Sequence, residues 1–303
     1  MCGLFAYAGS VNAVPILLDG LRSVEYRGYD SAGISIITES GSIETRKRGD
    51  HKASLNNLHS TVTGDQLFGL VGIGHTRWAT HGVVNHANSH PHLSVDGSIS
   101  IAHNGIIENF LDIRDELLDS GVELSSETDS EVIAHLAGRH LATGHGLRDS
   151  LVKAVGQLIG NTVVIAVATS EPTKVVGLRL GNAGGIVVGK NEYSAFMASD
   201  TGALLPHTSE VVYLESGEVV EIESGSFRLF DFKGKPIERK SVKTNRSFRA
   251  AQKGKYPDFM SKEIAEQPEA IQGAIAGRVN LVSGELEMPE ITLSANQIRS
   301  IDR

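Results

Sequence analysis

The sequence is short of several things that would otherwise direct its reading. It has one cysteine in 303 residues, which excludes an internal disulfide framework and a cysteine-clustered metal site. It has no surplus of positive charge. Lys and Arg number 28 against 36 Asp and Glu, and the net charge of −8 suits a phosphate backbone poorly, so nucleic acid is not an expected partner. No run of about 18 apolar residues occurs, so neither a transmembrane helix nor a membrane partner is expected. Residues 3–18 are fairly apolar but lack a basic flank, and Asp19 and Arg22 close the run, so they do not read as a leader. Cys at position 2 fails the myristoylation pattern. A reduced thiol without a targeting signal points to the cytoplasm. Neither a G-x-G-x-x-G nor a Walker pattern is present, and the glycines of residues 181–185 fit neither, so they give no nucleotide signal.

What is there is an ordinary globular composition, 40% hydrophobic and 21% charged, long enough for one large domain or two medium ones. Residues 3–9 read as a strand. Residues 12–26 read as a helix, with Asn12 as its cap, Pro15 in the first turn, and Val14, Leu17, Leu18, Leu21 and Val24 at helical spacing. A hairpin around Ser40-Gly41 joins residues 34–38 to 42–48, and strands follow at 70–75 and 99–103. Helical patterns occupy 109–120, 129–141 and 147–158. Six short strands then run between residues 163 and 222. Strands and helices do not alternate, which argues against a doubly wound parallel sheet. It favours an α+β fold with stacked antiparallel sheets covered by helices. From Lys233 the composition shifts. Beyond Thr244 a helical segment at 259–277 and a polar end read as a connector.

Five segments could carry chemistry. Removal of Met1 would leave Cys2 with a thiol and a free α-amine on one residue. Such an amine, with a pKa near 8, can accept a proton at neutral pH, so the pair is a self-contained nucleophile and base. Residues 74–82 combine Arg77, the single Trp78, Thr80 and His81 between glycines. Arg77 can fork a carboxylate or brace a polar loop, and Trp78 can cover an apolar stem. Asn104-Gly105 either makes a tight hairpin turn or presents an amide and a backbone N–H to a developing oxyanion. Thr128-x-x-Glu131 reads as a capping box, with Asp129 in the first helical turn; Asp129 either stabilises the helix or faces an ammonium group. Finally, six of the 12 histidines fall between His75 and His103, yet the metal-binding H-E-x-x-H pattern is absent, and no metal site is expected there.

Taken in order, the segments Met1-Cys2-Gly3, residues 25–33, 75–82, 103–110 and 126–129 resemble the glutaminase domains of the glutamine–fructose-6-phosphate aminotransferase family, which are class II glutamine amidotransferases. Ala198-Ser199-Asp200 and residues 259–268 agree. The resemblance implies the N-terminal nucleophile hydrolase fold, a four-layer αββα sandwich of two antiparallel sheets. It assigns Cys2 as nucleophile, Asn104 and the Gly105 N–H as the oxyanion hole, and Arg77 to the α-carboxylate of L-glutamine with Thr80 and His81. Asp129 would meet the α-ammonium, Trp78 would cover the site, and Arg27 would order the nucleophile's surroundings. No cofactor is implied. Residues 2–244 would form the glutaminase domain, and 245–303 a connector toward an isomerase module that this chain does not contain and through which alone fructose 6-phosphate would be engaged. The family's aromatic near Asn161 and its Ser-Pro near Ala183 are missing. Also open are a stand-alone glutaminase feeding a partner synthase subunit, a non-catalytic glutamine-binding module, and assembly as a homo-oligomer.

Overall fold

Alternation along the strands sets the layers. In β1 (Gly3–Gly9), Leu4, Ala6 and Ala8 face one way and Phe5 and Tyr7 the other, and every residue is buried. A strand covered on both faces must lie inside a stack of layers. The computed structural model describes residues 2–50, 54–79, 82–244, 254–257, 259–280, 283–284 and 293–301. The chain divides into two units, Met1–Gln252 and Lys253–Arg303.

In the first unit, β1 is followed by α1 (Ala13–Val24), β2 (Ser31–Ile37), β3 (Ile43–Arg48), α2 (Ser54–Gly64), β4 (Val71–Arg77), β5 (His92–Leu93) and β6 (Ile99–Gly105). Three helices come next: α3 (Phe110–Asp119), α4 (Glu131–Ala142) and α5 (Leu147–Val155). The rest is strand: β7 (Thr162–Ala168), β8 (Val175–Leu180), β9 (Val187–Lys190), β10 (Ser194–Ala198), β11 (Glu210–Tyr213), β12 (Glu218–Glu223), β13 (Ser226–Asp231), β14 (Pro236–Ile237) and β15 (Val242–Lys243). They form an eight-stranded sheet, β15-β11-β9-β10-β1-β4-β2-β3, and a seven-stranded sheet, β14-β13-β12-β8-β7-β6-β5. Paired strands are antiparallel in both.

Three apolar clusters define four layers. Leu17 and Leu21 of α1 and Leu55 and Leu58 of α2 pack on Phe5, Tyr7, Ile34 and Phe196, on the outer face of the eight-stranded sheet. Ala6, Ile73, Met197, Ala102, Val163, Ile165 and Val220 fill the space between the sheets. Ile133, Leu136, Leu147 and Leu151 of α4 and α5 pack on Ile99, Ile101 and Val164, on the outer face of the seven-stranded sheet. A fully buried Leu, such as Leu17 or Leu21, contributes about 1.5–3 kcal/mol each. The result is the expected αββα sandwich.

Local sequence accounts for most boundaries. Asn12 caps α1, its Oδ1 accepting the Val14 N–H at 3.2 Å, and the helix gives way at Val24 to a 3-10 turn, Glu25–Arg27, earlier than the apolar spacing predicts. Gly41, at φ +80°, turns the β2–β3 hairpin where Ser40-Gly41 places it. Helix α2, whose apolar positions Leu55, Leu58 and Val62 are few, was not expected from the sequence. The second unit contains α6 (Phe259–Ile275), which accommodates Pro268, and α7 (Ala295–Arg299), closed by a capping box between Ser294 and Gln297. Among the described residues no helix is long and apolar enough to cross a membrane.

Candidate active site

Strand parity brings the site together. On β1 the even positions point between the sheets, and Cys2 stands one step before that strand in the same parity. On β4, Val71 and Ile73 point between the sheets, so His75 and Arg77 do as well; on β6, Ala102 sets the same face for Asn104. β1 and β4 are neighbours, with Gly3 opposite Thr76, which puts Cys2 beside Arg77 at the end of the inter-sheet layer. The cleft there is lined by Cys2, Arg77, Trp78, Asn104, Gly105 and Asp129, with His90, His103, Thr128 and Ser130 also along it.

The thiol lies against the backbone of Trp78. Cys2 Sγ accepts the Trp78 N–H at 3.2 Å and lies 3.5 Å from the Trp78 carbonyl oxygen. Its carbonyl oxygen accepts from Arg27 Nε at 3.2 Å and from Asn104 Nδ2 at 3.2 Å. Burial pushes the Cys2 thiol pKa up; the Trp78 N–H and the positive charges of Arg77 and Arg27 oppose that rise only in part. The resting group is therefore a thiol and needs a base to become a nucleophile.

Several contacts hold this wall. The Asp30 carboxylate accepts the Ala79 N–H at 2.9 Å, and the Asp30 N–H donates to the Arg77 carbonyl at 3.0 Å. Gly28 lets the two segments approach closely: a Cβ there would lie 2.6 Å from the Arg77 carbonyl carbon and 2.7 Å from the Trp78 nitrogen. Tyr26 donates to Asp200 at 2.8 Å, and the backbone of Leu4 exchanges hydrogen bonds with Ser199, which ties the Ala198-Ser199-Asp200 segment to the start of β1. Trp78 stays 44% exposed and meets the edge of Tyr29 at 5.6 Å, so it borders the opening. Thr80 and His81 lie outside the described residues.

The opposite wall carries Asn104, Gly105 and Asp129. Asn104-Gly105 is not the hairpin turn its dipeptide favours. Both residues end β6 in register with β7, Gly105 opposite Thr162, because the chain leaves the sheet toward α3 and does not reverse. Gly105 has φ +147°, and a Cβ there would lie 2.2 Å from the Asn161 carbonyl oxygen, so the position requires glycine. The predicted capping box also fails. Helix α4 begins at Glu131, with Ser130 at its cap position, and Asp129 stands before the helix. Glu131 turns back to accept from the backbone and hydroxyls of Ser125 and Ser126, at 2.6–2.7 Å, which folds the 125–130 loop over the helix start. That loop presents Asp129, whose Oδ2 accepts the Ile107 N–H at 2.9 Å and whose Oδ1 accepts from Ser130 at 3.2 Å.

Arg77 is 4% exposed; burial lowers its pKa, opposed by Cys2, Asp129 and Asp30. A buried guanidinium within electrostatic range of a buried carboxylate gives the cleft two fixed charges of opposite sign. That matches the α-carboxylate and α-ammonium of an amino acid.

The sequence did not assign a task to the histidines behind this wall. His75 and His90 stack at 4.3 Å, and His90 meets the edge of His92 at 4.6 Å. His75 Nε2 lies 3.0 Å from Asn104 Oδ1, His103 Nδ1 2.8 Å from Ser130 Oγ, and His92 Nε2 3.1 Å from Thr128 Oγ1. Each ring thus backs a residue at or beside the cleft. Burial holds all four rings neutral, His75 pushed down to about 3 and His103 to about 4, while His90 and His92 lie well below the usual range. The sequence signal for this was the parity of His75 with Arg77 on β4.

Residues 61–156 match the family model for the glutamine amidotransferase domain. The chain is similar over its whole length to the glutamine–fructose-6-phosphate aminotransferase of Clostridium tetani, at 39% identity over 303 residues and 48% of that protein's length. It is 40% identical to that of Thermus thermophilus over 289 residues, covering 95% of this chain and 46% of the relative. Among solved structures, glutamine phosphoribosylpyrophosphate amidotransferase from B. subtilis superposes with a TM-score of 0.62 at 25% identity, over 76% of this chain and 49% of that one. Residues 61–156 thus carry a match to the glutamine amidotransferase domain, and the sandwich is the fold that the chain shares with the solved amidotransferase. The curated relatives are glutamine–fructose-6-phosphate aminotransferases, and the chain spans about half the length of those it matches.

Proposed function

We propose that this chain hydrolyses L-glutamine to glutamate and ammonia through Cys2, made N-terminal by removal of Met1. The observation that carries the reading is the convergence of Cys2, Arg77, Asn104, Gly105 and Asp129 on one cleft. Arg77 grips the substrate α-carboxylate and Asp129 its α-ammonium, with Thr80 and His81 assisting and Trp78 covering the opening. The α-amine of Cys2 takes the thiol proton, and the sulfur attacks the side-chain amide carbon. The new oxyanion is met by Asn104 Nδ2, which has a second N–H beyond the one on Cys2 O, and by the Gly105 N–H. Collapse breaks the C–N bond, and the leaving nitrogen departs as ammonia with the proton from the α-amine. Water then attacks the γ-glutamyl thioester, aided by the same amine, and releases glutamate and the thiol. Arg27 holds the Cys2 carbonyl, so the nucleophile stays in register with β1.

On this reading the ammonia serves the conversion of fructose 6-phosphate to glucosamine 6-phosphate, and the chain acts in the cytoplasm. Residues 245–303 lead toward the module that binds the sugar phosphate. The test is glutamate release by the chain, with intact mass checking loss of Met1, beside Cys2→Ala. Loss of release to background in the variant is expected. Undiminished release by Cys2→Ala overturns the proposal, and glutamine binding without release by the unaltered chain would favour a binding module.

A further inference from the structure

Nothing in the proposed chemistry uses the buried imidazoles, yet one of them touches the oxyanion donor. The Cys2 carbonyl oxygen can only accept, so the amide group facing it must be the NH2 of Asn104. Asn104 Oδ1 then faces His75 Nε2 at 3.0 Å, and the imidazole must donate there. His75 therefore carries its proton on Nε2, and its Nδ1 is buried without a hydrogen-bond partner among the described residues.

The ring itself is held. It stacks on His90 at 4.3 Å and 18° between planes, and His90 Nδ1 accepts the backbone N–H of His103 at 3.2 Å. His103 precedes Asn104 on β6, so the path from Asn104 through His75 and His90 returns to the strand that carries Asn104. Such a closed circuit leaves the amide one orientation. With the amide turned over, Oδ1 would face the Cys2 carbonyl and the forming oxyanion, and two acceptors would oppose each other.

We propose that His75 is a positioning residue: its Nε2–H locks the Asn104 amide with Nδ2 toward the reacting carbon. The inference rests on the glutaminase reading for its kinetic consequence, but the tautomer on which it stands does not. Burial lowers the His75 pKa to about 3, so the ring is neutral and the donor is constant across the working pH range.

The experiment compares His75→Leu and His75→Gln with the unaltered chain, and reads the His75 tautomer in the unaltered chain by nitrogen-15 NMR. His75→Leu should lower kcat by roughly 10- to 100-fold with glutamine KM within about twofold, less than deletion of an oxyanion donor itself. His75→Gln, which keeps an N–H donor, should recover most of the loss. The NMR signature should place the proton on Nε2. A kcat of His75→Leu within twofold of the unaltered chain overturns the inference, as does a proton on Nδ1. If neither variant folds, the tautomer decides. An unaltered chain that releases no glutamate sinks the glutaminase reading instead and leaves the tautomer to judge His75.

Discussion

The two walls of the cleft are built differently. The thiol wall belongs to the eight-stranded sheet, where Cys2 rests on the Trp78 backbone and Trp78 is nearly half exposed. The opposite wall carries Asn104 from the seven-stranded sheet and Asp129 from the loop before α4; both are about 95% buried, with His75 of β4 bonded to Asn104 and His103 bonded to Ser130 beside Asp129. The difference divides the labour. On the proposed reading, substrate enters past the wall that carries the exposed Trp78. The groups that meet developing charge sit on the buried wall, because fixed dipoles lower a barrier only if they need no reorganisation. Arg27 and Asn104 both reach the Cys2 carbonyl and so join the walls at the nucleophile.

If the buried wall is where the barrier is lowered, Asn104→Ala should reduce kcat by about 10²–10³ while glutamine KM stays within a few-fold. Steady-state kinetics check this, and a mainly KM effect would break the division. Asp129→Asn should act the other way and raise KM by about 10- to 100-fold as a charge-assisted contact to the α-ammonium is lost. Its melting temperature should stay near that of the unaltered chain, since the amide can still accept the Ile107 N–H.

The histidines predict a pH dependence of stability. Their folded pKa values lie below the unfolded value of 6.5, to about 3 for His75 and about 4 for His103. The unfolded chain therefore binds more protons once the pH falls below 6.5. Stability is full above that value and declines between pH 6.5 and about 4, by up to about 1.4 kcal/mol per pH unit for each ring that stays neutral. Melting curves over that range test it, and His92→Gln should shallow the slope. The smallest effect belongs to the thiol wall: Tyr26→Phe removes a 2.8 Å hydrogen bond to Asp200 and should cost about 1 kcal/mol, with little change in kcat.

Most of the sandwich was legible where burial was two-sided or strictly alternating. β1, β7 and α1 show it: Leu4-Phe5-Ala6-Tyr7 and the Leu17–Leu21 spacing state their layers outright. α2 was missed because its buried face is only three apolar residues wide in a polar segment. The capping box at Thr128 and the turn at Asn104 were local readings that tertiary context overrode. Glu131 served a loop and Gly105 a strand end pressed against Asn161. The motif residues of the cleft could be read from the ordered segments. The histidine backing could not, because it depends on His75, His90 and His103 meeting across two sheets, and only parity on β4 hinted at the first.

On the proposed reading Cys2, as the first residue of the processed chain, forms a thioester with the γ-glutamyl group of glutamine. Acid quenching during turnover, followed by peptide mapping, tests it directly. The expected product is an N-terminal peptide that begins at Cys2, lacks Met1 and carries one γ-glutamyl group on sulfur. Glutamate release at full rate from a chain that retains Met1, or an adduct on any other residue, would contradict it.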